Sequence, residues 1–102
     1  MTSSELIKKV EQKAKEIRFK AIRNYHQTNK SSYPYEEVIV MSDEYPKFVF
    51  FVQKNAIFER NSISDSSYDV FSFDMDGNFV KKESVEELGH DFFRNMKVLK
   101  MI

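Results

Sequence analysis

Apolar residues in the first quarter of the chain recur with the period of an α-helix. Thr2 precedes them and Glu5 follows three residues later, a pairing typical of a capping box at a helix N-terminus. We therefore predict an amphipathic helix that begins at Thr2 and ends near His26 or Thr28, ahead of Pro34. Steps of three or four residues separate the members of its apolar stripe, as expected for 3.6 residues per turn: Leu6, Val10, Ala14, Ile17, Ala21 and Tyr25.

Beyond residue 32 the hydrophobic period changes to that of β-strands. Short runs rich in β-branched and aromatic residues alternate with turn-forming clusters. The gaps are too short for crossover helices, so we expect an antiparallel meander. The run Phe48–Val52 has no polar face, which indicates a central strand covered on both sides. The predicted strands are Glu37–Ser42, Lys47–Gln53, Ala56–Arg60, Tyr68–Phe73 and Asn78–Lys82, and the predicted turns are 43–46, 54–55, 61–67 and 74–77.

A second, shorter helix is predicted after the strands. Ser84 is its candidate N-cap, and Glu86 and Glu87 favour its first turn. Its apolar stripe consists of Val85, Leu88, Phe92 and Met96. The final KVLKMI fits either a last helical turn or a short edge strand. The sequence thus predicts a single α+β domain over residues 1–102: an N-terminal amphipathic helix, a four- or five-stranded antiparallel meander sheet and a short C-terminal helix. The predicted core comprises Leu6, Val10, Ile17, Val49, Phe51, Phe58, Val70, Leu88 and Phe92.

The absence of cysteine and of long apolar segments narrows the class of protein. Disulfides, zinc–thiolate sites and cysteine nucleophiles are excluded. Hydrophobic residues make up 41% of the 102 residues, with ten Phe and five Tyr, enough for one core. The N-terminus becomes charged without the apolar region of a signal peptide, and no stretch has membrane-spanning length. We therefore expect a cytoplasmic protein that does not associate with a membrane.

The net charge is zero, but the charges are unevenly placed. Residues 1–30 carry eight Lys and Arg against three Glu, a charge of +5, whereas residues 31–102 carry eight against thirteen acids, a charge of −5. The chain is therefore a basic segment attached to an acidic body, and such asymmetry indicates a charged binding surface.

The segment FDMDGN, residues 73–78, resembles the nucleophile strand of the haloacid-dehalogenase-type phosphatases. The resemblance implies that Asp74 is the nucleophile and Asp76 the general acid. However, Asn78 stands where the family usually has Thr or Val, and only 25 residues follow Gly77, too few for the segments that hold phosphate and magnesium in that family. Phosphoryl transfer depends on such positioning groups, so we expect no phosphatase activity.

A hairpin turn is the favoured interpretation of the same segment. A calcium loop starting at Asp74 would need Gly at its sixth position and Glu at its twelfth, where the chain has Phe79 and Val85. By contrast, Asp-Gly between two strands is a strong hairpin signal, because Gly accepts the positive φ of the turn. We therefore predict a turn over residues 74–77.

Other catalytic or metal-binding patterns are lacking in the sequence. Neither His26 nor His90 has a second ligand at metal-binding spacing, and the serines lack a nucleophile elbow. The sequence therefore predicts no enzymatic activity, no metal site and no cofactor.

The first helix carries one large aromatic residue in its basic face. With Leu6 at zero and about 100° per residue, the apolar stripe spans roughly 0 to 100°, whereas Phe19 falls near 220°. Two interpretations remain open: Phe19 is buried by a second part of the chain, or it is the exposed anchor of a binding surface. In the second interpretation the binding residues are Lys8, Lys15, Arg18, Phe19, Arg23 and His26.

Two classes of function fit these features. The first is a small non-enzymatic protein that modulates or inhibits a protein target. The second is an RNA- or DNA-binding module that uses the basic helix, with Phe19 or Tyr25 stacking on a base. We favour the first, because the acidic body would repel phosphate.

Two further expectations concern assembly and origin. A homodimer that places the basic helix on the acidic face of a second copy would satisfy both charge patches. Lysines outnumber arginines twelve to four, a usage typical of AT-rich coding. By analogy alone, these traits suit a phage or mobile-element accessory protein acting on a host factor.

Overall fold

The computed structural model has one helix packed on an antiparallel sheet. It describes residues 2–25, 30–42, 47–59, 62–85 and 95–102, with side chains described for 2–17, 36–42, 47–54, 68–84 and 95–102. The strand order is β4-β3-β2-β1-β5, and every neighbouring pair is antiparallel. The elements are α1 (Ser3–Tyr25), β1 (Lys30–Ser42), β2 (Val49–Glu59), β3 (Ser62–Phe73), β4 (Phe79–Val85) and β5 (Met96–Met101).

The predicted N-terminal helix is confirmed. The Oγ1 of Thr2 accepts a hydrogen bond from the Glu5 backbone N–H at 3.3 Å, and the Thr2 carbonyl accepts one from the Leu6 N–H at 3.0 Å. The first bond satisfies one of the first-turn N–H groups that a helix leaves without an intrahelical partner, and the second is the first hydrogen bond of the helix itself. α1 then ends at Tyr25, within the range that the sequence indicated.

Two predicted turns are wrong, because two strands are longer than the apolar runs within them. The predicted turn at Lys54 and Asn55 lies inside β2, which is continuous from Val49 to Glu59. Likewise, residues 62–67 of the predicted 61–67 turn belong to β3. Lys54 pairs with Tyr68 across the two strands, and a register shift between Asn55 and Ile57 lets the ladder continue. Polar residues can occupy such a ladder because its hydrogen bonds involve only the backbone.

The C-terminal part of the chain also contains more β-strand than the sequence predicted. The predicted N-cap Ser84 lies in β4, and Met96 at the far end of the predicted helix lies in β5. Ser84 is held in the sheet by its pairing with Asp69, to whose Oδ1 its hydroxyl donates at 2.7 Å. The rest of the predicted C-terminal helix, residues 86–94, lies outside the described residues. KVLKMI contributes an edge strand, one of its two predicted alternatives.

The sheet is a meander from β1 to β4, but its fifth strand departs from meander order. β5 pairs with β1 on the side opposite β2, so it lies at the far edge from β4. The α+β class and the antiparallel sheet are confirmed, whereas the position of β5 was not predicted.

The core lies on both faces of the sheet. On the helix face, Leu6, Val10 and Ala14 of α1 pack on buried residues of β1, β2 and β3. On the second face, Val40, Val52 and Val70 are also buried. β2 is the middle strand of the five, which confirms the central position predicted for the run Phe48–Val52. Of the predicted core, five are buried, namely Leu6, Val10, Val49, Phe51 and Val70; Ile17 is partly buried, and the side chains of Phe58, Leu88 and Phe92 lie outside the described residues.

The hairpin turn predicted at residues 74–77 is present. The Gly77 N–H donates to the Asp74 carbonyl at 3.0 Å, and Gly77 has a φ of 78°, in the left-handed region that favours glycine. The Asp74 Oδ1 accepts the backbone N–H groups of Asp76 and Asn78 at 2.9 and 2.8 Å. These bonds, the one from Asn78 foremost, hold the pKa of the Asp74 carboxyl below its usual value. The carboxylate therefore serves as an acceptor within the turn.

Candidate functional site

An open groove crosses the second face of the sheet, on the side opposite α1. It has a volume of about 250 Å³ and an apolar floor that includes the buried Val52. We call it the sheet groove and define it by its lining residues, which come from four adjacent strands: Glu36, Glu37, Val38, Val52, Lys54, Tyr68, Val98 and Met101.

Strand register places these residues together. Val38 of β1 lies opposite Val52 of β2 on one side and Met101 of β5 on the other. In the next row, Lys54 lies opposite both Glu36 and Tyr68. Because side chains alternate between the faces of a strand, register partners share a face. The apolar row and the polar row therefore form the floor and rim of one groove.

The rim combines charge with accessible apolar surface. The Lys54 Nζ lies 5.7 Å from the centroid of the Tyr68 ring, within the range of a cation–π interaction. Glu36 is exposed at the same end of β1. Val98 and Met101 project from β5 and are among the most exposed large apolar side chains of the described residues. Such a combination is typical of protein interfaces, in which apolar contacts are surrounded by polar ones.

β5, which lines one side of the groove, forms a backbone hydrogen bond with β1 and an ion pair with α1. The Ile102 N–H donates to the Glu37 carbonyl at 3.0 Å. On the helix face, the Lys100 ammonium lies 2.7 Å from Glu11 Oε2, and the Lys15 ammonium lies 2.9 Å from the other carboxylate oxygen. Glu11 thus joins the first helix to the last strand, and its pKa is lowered, chiefly by the hydrogen bond from Lys100 and then by that from Lys15.

The lowered pKa of Glu11 predicts a pH-dependent contribution to stability. A carboxyl group whose pKa is lower in the folded state stabilises the fold above its unfolded pKa, and that stabilisation is lost as the pH falls through the folded pKa. Glu11→Gln should therefore lower the free energy of unfolding by about 0.5 to 1 kcal/mol at pH 7. The difference from the unsubstituted protein should shrink below about pH 4.

Urea unfolding of both proteins across this pH range measures the effect. Glu16→Gln, which makes the same change at an exposed position of α1, is the control and should have little effect at any pH. An equal loss for Glu11→Gln at pH 7 and pH 3 would show that its charge is not what stabilises the fold.

The residues predicted to form the basic helix face are only partly described. Lys8 is exposed, whereas Lys15 is paired with Glu11. Arg18, Phe19 and Arg23 lie in α1, with side chains outside the described residues, and His26 lies outside them altogether. Their proposed binding role therefore remains a prediction. Lys8 and Lys15 do not line the sheet groove, which lies on the face of the sheet opposite α1.

A partly buried row of polar residues on the helix face was also missed by sequence analysis. Gln53, Asp69 and Ser84 are register partners on three adjacent strands. Gln53 Nε2 donates to Asp69 Oδ2 at 2.9 Å, and Ser84 donates to the other carboxylate oxygen. Gln53 and Asp69 are almost fully buried, so these bonds favour the register that forms them. Period-two alternation was the available signal, because it places Gln53 on the same face as Phe51.

The sheet groove was missed because its residues look ordinary in sequence. Val98 and Met101 belong to KVLKMI, whose apolar positions would be buried if the segment ended a helix. Their exposure follows only from the pairing of β5 at the sheet edge. Glu36, Lys54 and Tyr68 are separated in the chain and form one rim only through register.

Over the described residues, fold and site define a small α+β protein with a helix on one face of an antiparallel sheet and an apolar groove on the face opposite α1. The chain matches no protein-family model, and neither the curated proteins nor the solved structures gave a significant match. None of the described helices combines the length and the apolar character needed to cross a membrane. Among the described residues, no group of three or more His, Asp or Glu side chains is placed to hold a metal ion.

Proposed function

We propose that this chain is a small non-enzymatic binding protein that modulates or inhibits another protein by holding an apolar side chain of that protein in the sheet groove. The observation that carries the proposal is the accessible apolar surface of Val98 and Met101 beside an apolar floor. Exposed apolar surface rimmed by polar groups is typical of interaction sites.

The size of the groove favours a protein side chain over a small-molecule ligand. Pockets for small molecules usually measure about 300 to 1,000 Å³ and enclose most of the ligand. The sheet groove measures about 250 Å³ and is open along one side. That space suits one large anchor side chain or two smaller ones, and a few such anchors contribute most of the free energy of many protein complexes.

The charge around the groove favours a basic partner. Residues 31–102 carry a net charge of −5, and Glu36 is exposed at the rim. Charge complementarity accelerates association and selects partners more than it increases affinity. The expected partner therefore presents an apolar residue flanked by Lys or Arg.

Replacing Met101 by Asp should abolish binding at this surface. Met101 has 73% of its surface exposed, so the change should leave folding nearly intact, yet it introduces a charge that an apolar anchor would have to desolvate. We expect affinity for the captured protein to fall at least about tenfold, or 1.4 kcal/mol. Affinity capture from lysate, followed by titration with the captured protein, measures this loss.

The matched control is Met75→Asp. Met75 is also an exposed methionine, at 38%, but it lies in the β3–β4 turn and does not line the groove. The proposal requires that this variant capture the same protein as the unsubstituted chain. If Met75→Asp and Met101→Asp weaken capture equally, or if neither does, the groove is not the binding surface.

Phe19→Ala tests the alternative surface on the basic helix face. If Phe19 is an exposed anchor, the variant should keep its thermal stability and lose binding at least about tenfold, with Lys15→Ala much less affected. A strongly lowered melting temperature would instead make Phe19 part of the core. Nuclease treatment and a salt series complete the test, because a nucleic-acid complex loses affinity steeply with salt, whereas an apolar anchor retains most of it.

A further inference from the structure

Strand β4, at the edge of the described sheet, carries apolar side chains and charged side chains that are exposed to solvent. Phe79 and Val80 are 42% and 50% exposed. Lys81 and Glu83 form an ion pair at 2.8 Å and remain more than half exposed. β4 pairs with β3 on one side, and it is the last strand in the described sheet. An open strand edge offers backbone N–H and C=O groups to another strand, and proteins usually protect such edges.

We propose that β4 pairs antiparallel with β4 of a second copy of this chain, about a two-fold axis at Lys82, to form one continuous sheet. This register places Lys81 opposite Glu83 of the second copy, and Glu83 opposite its Lys81. Opposite charges facing each other across two strands stabilise the pairing, whereas like charges destabilise it. A two-fold axis uses the same surface of both copies, so a strand with self-complementary charges is suited to it.

Neighbouring symmetric registers lack this complementarity. A two-fold axis at Lys81 would place Lys81 opposite Lys81 of the second copy. An axis at Glu83 would likewise place Glu83 opposite Glu83 of the second copy. Only the axis at Lys82 gives both charged residues an opposite partner.

Lys82 itself would meet Lys82 of the second copy at the axis. Its ammonium, however, lies 5.6 Å from the centroid of the Phe71 ring, above the neighbouring strand β3. Phe71 is the register partner of Lys82 within the chain. The charge therefore points away from the edge at which the second copy would dock, which reduces the repulsion.

The other edge of the sheet is unsuited to self-association. β5 carries Lys97 and Lys100 and contains no acidic residue. Pairing β5 with itself would therefore gather four lysines with no acid from either strand. Lysine on an edge strand is a common protection against such pairing, which leaves β4 as the edge where two copies fit.

The proposal is tested by charge reversal combined with mixing. Sedimentation equilibrium of the unsubstituted chain should show reversible dimers in the micromolar range or weaker, because a single strand pair buries less than the roughly 1,200 Å² of a standard interface. Lys81→Glu and Glu83→Lys should each weaken the dimer at least about tenfold, since each makes both cross-strand pairs like-charged. The double variant, Lys81→Glu with Glu83→Lys, should restore it.

Mixing the two single variants gives the sharpest result. A Lys81→Glu chain carries two acids and a Glu83→Lys chain carries two bases at these positions, so an equimolar mixture should form a heterodimer although neither variant dimerises alone. Thermal unfolding controls for folding, because the exposed ion pair within the chain contributes little to stability. A monomer at all concentrations overturns the proposal, and so does a dimer whose affinity the single variants leave unchanged.

Discussion

Replacing Phe51 by Ala should lower the free energy of unfolding by about 3 to 5 kcal/mol, the usual cost of removing a fully buried phenylalanine. Phe51 is 0% exposed in the middle of β2. Its ring meets that of Phe71 edge to face, with centroids 5.9 Å apart. Small domains are stable by only about 5 to 15 kcal/mol, so this one change should remove a large share of the total.

Urea or guanidinium unfolding monitored by circular dichroism measures the loss. The matched control is Phe79→Ala, because Phe79 contacts Phe73 at a centroid distance of 5.7 Å but is 42% exposed on an edge strand. The control should cost about 1 kcal/mol. A loss below about 1 kcal/mol for Phe51→Ala would mean that β2 does not occupy the centre of the core.

Replacing Gly77 by Ala should destabilise the domain by about 1 to 3 kcal/mol. At a φ of 78°, a side chain strains the backbone by about 1 to 2 kcal/mol. The added Cβ would also lie 2.8 Å from Lys9 Cδ, which must move aside. That movement would disturb the 2.9 Å hydrogen bond from the Lys9 ammonium to the Asp76 carbonyl, which connects α1 to the turn.

A double-mutant cycle separates the two contributions. In a Lys9→Ala background the close contact disappears, so Gly77→Ala should then cost only the backbone strain. Gly77→Asn in the same background should cost less than Gly77→Ala, because Asn adopts left-handed backbone more readily. An equal cost of Gly77→Ala in both backgrounds would show that Lys9 yields without penalty. A negligible cost in both would contradict the turn geometry.

Local patterns predicted the helix and the turn closely. The stripe through Leu6, Val10 and Ala14 and the cap at Thr2 depend on residues within a few positions of one another, so they can be recognised without the fold. Gly77 follows Asp76 in a turn whose backbone requires a positive φ, which few other residues tolerate.

Strand lengths were harder to predict, because cross-strand pairing extends a ladder through polar residues. Lys54 and Asn55 resemble a turn in sequence, yet their backbone groups are satisfied by pairing with Tyr68 and Ser67. Ser84 resembles a helix cap, yet it donates to the buried Asp69 of the adjacent strand. In each case a non-local hydrogen bond outweighs the local preference.

Four features could be predicted from the amino-acid sequence alone: the amphipathic helix, the apolar centre of the sheet, the Asp-Gly turn and the division into a basic segment and an acidic body. These depend on composition and on spacings of a few residues. Three features became apparent from the folded chain: β5 pairs with β1, Val98 and Met101 form a groove with Lys54 and Tyr68, and Glu11 joins α1 to Lys100. Such contacts join residues far apart in the chain, so their free energy arises only when strand order and register bring those residues together.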